Sequence, residues 1–168
     1  MDQRASESAA TRTGTTVKRM SDREIVVTRA FNAPARIVFD AWTKPELFMH
    51  WWAPRSMGMS ILSCEMDVRT GGKYRLEFGQ DPSSSFAFFG KYIEVIPNSR
   101  IVWTNDESDD GAVTTVTFEE KGGQTLLTLS ELYPSKEAFE AERGAEDALP
   151  EQFEQLEELL ATMGVSEK

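Results

Sequence analysis

The chain holds one histidine and one cysteine, and they bound the chemistry it can do. His50 stands beside Trp51 on an aromatic-rich helical stretch, and its ordinary pKa would suit a general base. Nothing in the sequence is spaced to work with it, so placement on a helix face accounts for it. Cys64 lies in a strand pattern, where a thiol ordinarily acts as a small buried hydrophobe. One His with one Cys gives no metal-ligand spacing, so neither a metal nor another cofactor is expected. Gly71-Gly72-Lys73 looks at first like a phosphate loop. However, the position five before Gly72 is Asp67, and Tyr74 stands where Ser or Thr should follow the lysine. It reads as a hairpin turn. Asp109-Asp110 falls in a turn with Gly111, and Glu119 and Glu120 point to opposite faces of a strand. No serine motif resembles a nucleophile elbow. No catalytic residue is assigned.

What remains is aromatic: Trp42, Trp51, Trp52, Tyr74, Phe78, Phe86, Phe88, Phe89, Tyr92, Trp103, Phe118 and Phe153. Any one of these reads as core packing. As a set they exceed what a tightly filled small core needs, so some are expected to line a cavity. There a Trp N–H or Tyr O–H would orient a ligand. The candidate ligand-binding residues are Trp42, Trp51, Trp52, Tyr74, Phe78, Phe88, Tyr92, Trp103, Leu149 and Phe153. The sheet register of Arg75, Glu77 and Glu94 stays open at this level.

Three of the four tryptophans fall between Ala33 and Pro54, in two short helical patterns. Pro34 suits the first position of a helix, and Val38, Ala41 and Trp42 form its apolar face. Pro45 stops that helix and opens a second, with Glu46 in its first turn. Leu47, Phe48, Trp51 and Trp52 follow before Pro54 ends it. Ahead of this pair, β-branched residues predict a strand over 24–31. After it, turn signals separate six more strands near 60–68, 73–79, 86–96, 100–106, 112–120 and 124–131. Tyr74, Leu76 and Phe78 alternate with Arg75 and Glu77, and Thr114, Val116 and Phe118 share a face, so one side looks inward. Near the end, Ser135 is placed to cap a short helical piece that breaks around Gly144. Leu149, Phe153, Leu156, Leu160 and Met163 then recur at helical spacing, with Glu151, Glu154, Glu157 and Glu158 toward water. Pro150 would sit in the first turn, and Gly164 would end the helix.

At 168 residues the chain suits one domain. A formal charge of −10 argues against nucleic acid or an anionic membrane surface as main partner. No apolar run is long enough to span a membrane. The single cysteine rules out an internal disulfide, which permits a reducing, cytoplasmic location. Residues 1–22 are polar and without periodicity. They read as a disordered, dispensable tail, ahead of one domain over 23–164. Monomer and homodimer are both open.

The residues Pro34, Val38-Phe39, Ala41-Trp42-Thr43, Pro45-Glu46 and Trp51-Trp52-Ala53-Pro54 carry a resemblance. It continues through Glu65-Met66-Asp67-Val68, Gly71-Gly72-Lys73-Tyr74, Gly90-Lys91-Tyr92-Ile93-Glu94-Val95 and Arg100-Ile101-Val102-Trp103. Over about 24–163 the chain resembles the bacterial family related to the activator of the heat-shock protein 90 ATPase, within the SRPBCC (START-like) superfamily. The resemblance implies an α+β helix-grip fold, shared with START domains and birch-pollen-type allergens. In it a curved, seven-stranded antiparallel sheet wraps a long C-terminal helix, two short helices follow strand 1, and an apolar cavity lies between sheet and helix. Where many members carry Gly-Trp at the start of the last helix, this chain has Ala148-Leu149. The function implied is non-catalytic binding of a small hydrophobic or amphipathic molecule. A chaperone-associated interaction module is the second reading, although the additional N-terminal domain of the eukaryotic activators has no room in this tail. A cavity enzyme of cyclase or hydrolase type is the third.

Overall fold

The computed structural model describes residues 9–12, 15–53, 56, 58, 60–79, 81, 83, 85–106, 111–141 and 149–166. Its frame is an antiparallel sheet of nine strands in the order β1-β2-β3-β9-β8-β7-β6-β5-β4. The strands are β1 (Ala9–Arg12), β2 (Thr15–Arg19), β3 (Glu24–Phe31), β4 (Ser60–Met66), β5 (Lys73–Gly79), β6 (Ser85–Ile96), β7 (Arg100–Thr104), β8 (Val113–Lys121) and β9 (Gln124–Leu132). From β4 to β9 the chain runs as a meander. The early strand β3 joins this meander by pairing along its whole length with β9, Phe31 opposite Thr125 and Val27 opposite Leu129. Gly122 and Gly123 both take positive φ (63° and 81°), as a two-residue hairpin turn between β8 and β9 requires.

The sheet bends at β6. Its first half pairs with β5 as far as Lys91, and its second half pairs with β7 from Tyr92 on, with a register shift between Tyr92 and Glu94. Gly90 sits at the corner. A Cβ there would lie 2.1 Å from the Thr104 carbonyl oxygen, so only glycine lets the two strands approach this closely. A further register shift between Ile61 and Ser63 marks edge strand β4. Such irregularities raise local twist and curl a sheet. Alternation then directs Tyr74, Leu76, Phe78, Thr114, Val116 and Phe118 to the buried face. Arg75 pairs with Glu65 across the strands on the opposite face and lies 3.9 Å from Glu77, while Glu94 meets Arg100 at 2.8 Å.

Among the described residues four helices complete the fold: α1 (Ala35–Thr43), α2 (Pro45–Phe48), α3 (Lys136–Ala141) and α4 (Leu149–Ser166). Pro34 lies one residue ahead of α1 and offers no side-chain cap. Tertiary contacts replace it: Glu120 Oε1 accepts the Ala35 N–H at 2.9 Å, and Thr125 Oγ1 donates to the Ala33 carbonyl at 2.7 Å. The far end of the β8–β9 hairpin thus caps the helix. Pro45 occupies the first turn of α2, which is one turn long and passes into further turns through Trp52 rather than reaching Pro54 as a helix. Ser135 caps α3 as the sequence suggests, its Oγ accepting the Ala138 N–H at 3.1 Å. Gly144 lies outside the described residues.

Helix α4 carries the expected stripe, with Leu149, Phe153, Leu156 and Leu160 all buried and Pro150 in its first turn. It runs past Gly164 to Ser166, so that glycine does not end it. Its acidic residues divide. Glu154 and Glu158 are exposed, but Glu157 pairs with Arg29 at 3.6 Å and Glu151 accepts from the Ser56 N–H and Oγ at 2.9 and 2.5 Å.

The seven strands anticipated become nine, and the disordered tail over 1–22 is corrected over 9–12 and 15–19. Val17 pairs with Val27, Thr15 is fully buried, and Arg29 Nη1 donates to Thr15 Oγ1 at 3.2 Å. Arg19 lies 4.4 Å from the Phe139 ring centroid and 3.2 Å from Glu140 of α3. Residues 1–8 lie outside those described. The hairpin escapes notice in the sequence because a Thr-Thr-Val-Lys-Arg strand carries a single aliphatic residue. Its stability comes from the edge of β3, the next strand along, and from α3, which is distant in sequence.

This packing sets the expected cost of two changes. Deleting residues 1–20 exposes Ile25 and Phe139 and removes the Arg19 contacts, at a cost of about 2 kcal/mol, or roughly 4–8 °C in Tm. An unchanged Tm would show β2 to be an idle appendage. Phe153→Ala empties a site closed by Phe31, Trp42 and Trp51, and chemical denaturation should register a loss of about 3–5 kcal/mol.

Candidate functional site

The helix pair delivers its tryptophans to one place. Trp42, on the buried face of α1, has ring centroids of Phe48, Trp51, Trp52, Trp103, Phe118 and Phe153 within 6.4 Å, most of them tilted or edge-on. These rings come from α2 and its following turn, β7, β8 and α4. Two buried glutamines of α4 hold that turn. Gln152 Nε2 donates to the Trp52 carbonyl. Gln155 Nε2 donates to the Trp51 and Ala53 carbonyls, both at 2.9 Å. Carbonyls beyond a helix end need such partners when buried. Sequence reasoning passed over both glutamines. Their signal is position: steps of three and four place Gln152, Gln155 and Leu156 along one side of α4, against a wall otherwise apolar.

Of the ten candidate residues, Trp42, Trp51, Trp52, Trp103 and Phe153 form this single cluster. Leu149 is buried in the same core at the start of α4. Tyr74 and Tyr92 pair at 5.6 Å, and Phe78 with Phe88 at 5.2 Å, along β5 and β6. They are a second group on the same inner surface. Inward position does not mean full burial. Trp52 and Trp103 of the cluster, Phe88 of β6, and Cys64 and Met66 of β4 are only half-buried.

The polar atoms of the aromatics are unequally used. Trp51 Nε1 donates to the Ala41 carbonyl at 3.0 Å. Tyr74 Oη donates to the Thr104 carbonyl at 2.7 Å, where Asn105 donates in turn to the Ala112 carbonyl (2.7 Å) and Thr114 Oγ1 (3.1 Å). Both therefore serve the fold rather than a ligand. Trp42 Nε1 is buried with no hydrogen-bond partner among the described residues.

Burial is the leading electrostatic influence on this surface. Burial raises the Cys64 thiol to about 11. Burial first, and then the neighbouring Cys64 and Asp67, push the Tyr92 phenol well above its ordinary value. His50 is exposed. Among the described residues no cluster of His, Cys, Asp and Glu has the makings of a metal site, and no helix is long and apolar enough to cross a membrane. The arrangement is one of shape and apolar contact with a few hydrogen-bonding atoms.

The fold is shared with solved bacterial structures. A protein from Rhodobacter sphaeroides superposes with a TM-score of 0.80 at 21% identity, covering 88% of this chain and 98% of that one. One from Staphylococcus epidermidis gives 0.73 at 28% identity, covering 86% and 93%. An AHSA1-like protein from Aeromonas hydrophila gives 0.66 at 19%, covering 84% and 94%. No curated protein matches the chain. The family model described as activator of Hsp90 ATPase homolog 1-like protein matches residues 32–161, from the turn before α1 into the last turns of α4. With that match over most of its length, and with the α+β curved-sheet fold to accompany it, the chain belongs to the activator of Hsp90 ATPase homolog 1-like family.

Proposed function

We propose that this protein binds a small apolar or amphipathic molecule between the inner face of its sheet and α4, in the cytoplasm, without performing chemistry on it. The observation that carries this is the half-burial of inward-facing Trp52, Phe88 and Trp103, with Cys64 and Met66 beside them. Helix α4 lies against β3 and α1, where Phe153 meets Phe31 edge-on at 5.7 Å and Glu157 reaches Arg29. Single-helix coverage leaves aromatic surface on β6 and β7 accessible on a concave face, which is where apolar ligands gain most from leaving water. The absence of an acid–base set in the sequence supports binding over catalysis.

A second reading, interaction with a chaperone, draws on the family description and on Val113 and Leu132. These are paired across β8 and β9, and both are exposed. Thr104 flanks Val113 on one side and Glu24 flanks Leu132 on the other, so polar neighbours border the pair and the cavity reading is preferred. An unchanged ATPase rate of an Hsp90-type chaperone on addition of this protein would retire the second reading.

The binding reading is tested with N-phenyl-1-naphthylamine, a neutral probe. Saturable binding should quench tryptophan emission and raise Tm by mass action, and Trp103→Ala should weaken it severalfold. Failure to saturate would sink the proposal. Cys64 offers a second readout. With its thiol pKa near 11, little thiolate exists at pH 8, so iodoacetamide should react roughly a hundredfold more slowly than with free cysteine. The rate should climb as pH approaches 11, and bound probe should slow it at pH 10.

A further inference from the structure

Trp42 and Trp51 are neighbours with ring centroids 4.7 Å apart, and both are almost wholly buried. Trp51 has an acceptor for its indole N–H, and Trp42 has none among the described residues. A donor removed from water and left unpaired is costly, and phenylalanine would fill most of the same space without that cost. The Trp42 ring lies 5.8 Å from Trp52 and 5.9 Å from Trp103, the two half-buried members of the cluster. The ring that carries the unpaired donor, itself sealed from solvent, thus packs against the two members of the cluster that are partly open. Charge is missing from that surface: the described inward-facing side chains of β5, β6 and β7 are all uncharged, from Tyr74 and Leu76 to Tyr92 and Trp103. On neighbouring β4, burial likewise raises the Cys64 thiol. A carboxylate or ammonium on a ligand would meet the same loss of hydration.

We infer that the molecule held on the inner face is uncharged and carries a hydrogen-bond acceptor, a ketone, ester or ether oxygen, which Trp42 Nε1 binds. This rests on the binding reading above and narrows it to a ligand class. Trp42 is then the specificity-determining residue, and the surrounding rings supply affinity without direction. An apolar molecule lacking an acceptor fills the same space but leaves the donor unpaired. An anion gains the hydrogen bond but loses more in desolvation.

Three naphthalene probes of similar size separate these terms: 2-acetylnaphthalene (neutral, with a carbonyl), 2-ethylnaphthalene (hydrocarbon) and 2-naphthoate (anion). With the wild-type protein, titration of 2-acetylnaphthalene should move one indole N–H resonance downfield in the 15N–1H spectrum. Trp42→Phe, which keeps an aromatic ring, should abolish that resonance. The variant should lower affinity for the ketone roughly fivefold to tenfold and leave that for 2-ethylnaphthalene within about twofold. 2-Naphthoate should bind the wild type more weakly than the ketone. Equal losses for ketone and hydrocarbon would overturn the inference while leaving the binding reading standing. So would a Trp42 N–H resonance already shifted upfield and unmoved by the ketone, the sign of a donor spent on the Trp51 ring. The wild-type spectrum distinguishes these outcomes even if the variant folds poorly. Binding by none of the three probes would overturn both.

Discussion

The aromatic contact centred on Trp42 is where otherwise separate parts of this molecule meet. Helix α1 brings Trp42, the turn after α2 brings Trp51 and Trp52, β7 brings Trp103, β8 brings Phe118 and α4 brings Phe153. Tilted and edge-on ring pairs suit the quadrupoles of aromatic rings, adding about 0.5–1.5 kcal/mol per pair beyond the area they bury. No element here could hide these rings alone. A nine-residue helix followed by a single turn is too short to be stable in water by itself. Its structure depends on the sheet and α4 lying opposite. The dependence is reciprocal, because Gln152 and Gln155 of α4 find their acceptors only where the 51–53 turn is already in place.

Around that contact part of the sheet's inner face is only half-buried. Pairing of β3 with β9 brings early and late parts of the chain together, and the bend at Gly90 turns β4, β5 and the first half of β6 toward the helices. Helix α4 packs where β3 and α1 offer Phe31, Arg29 and Trp42. Farther round, Phe88 and Trp103 face inward without being sealed. One helix about 10 Å across matches only part of a curled sheet's width. That mismatch, rather than any particular side chain, is what supports a binding role. The hydrogen-bonding atoms then divide by use: Trp51 and Tyr74 stabilise turns and loops, while Trp42 Nε1 has no acceptor among the described residues.

Family membership gives this geometry a context without completing it. The match spans the helix pair, the meander and most of α4, which are the elements that build the concave surface. The N-terminal hairpin lies outside the match. So does β3. The hairpin lies at the edge of the sheet, tied to α3 by a cation–π contact and covering Ile25 and Phe139 with Val17. An edge strand needs such protection against pairing with another chain, and the polar β2 extends the sheet without extending its apolar face.

Much of this was open to reading in the residues themselves. Local rules were enough for the two prolines that bracket α1, the strand alternation at Tyr74-Leu76-Phe78, the Gly122-Gly123 turn and the Leu149–Met163 stripe. Each depends on backbone sterics or on periodicity within about ten residues. The Trp42-to-Trp103 motif run was enough to suggest the family. Tertiary structure alone decided the rest, because the deciding partners are far apart in sequence. Arg75, Glu77 and Glu94 could be assigned to the outer face only once inter-strand register was known. The β1–β2 hairpin, thin in apolar residues, exists by virtue of β3 and α3. Glu120 and Thr125 anchor the start of α1 across more than eighty residues. Trp51 and Trp52 look alike in sequence, yet one indole is fully buried and the other half-exposed. Which indole nitrogen has an acceptor depends on where a carbonyl lies in space, and for that reason the sequence could name Trp42 among the walls but could not single it out.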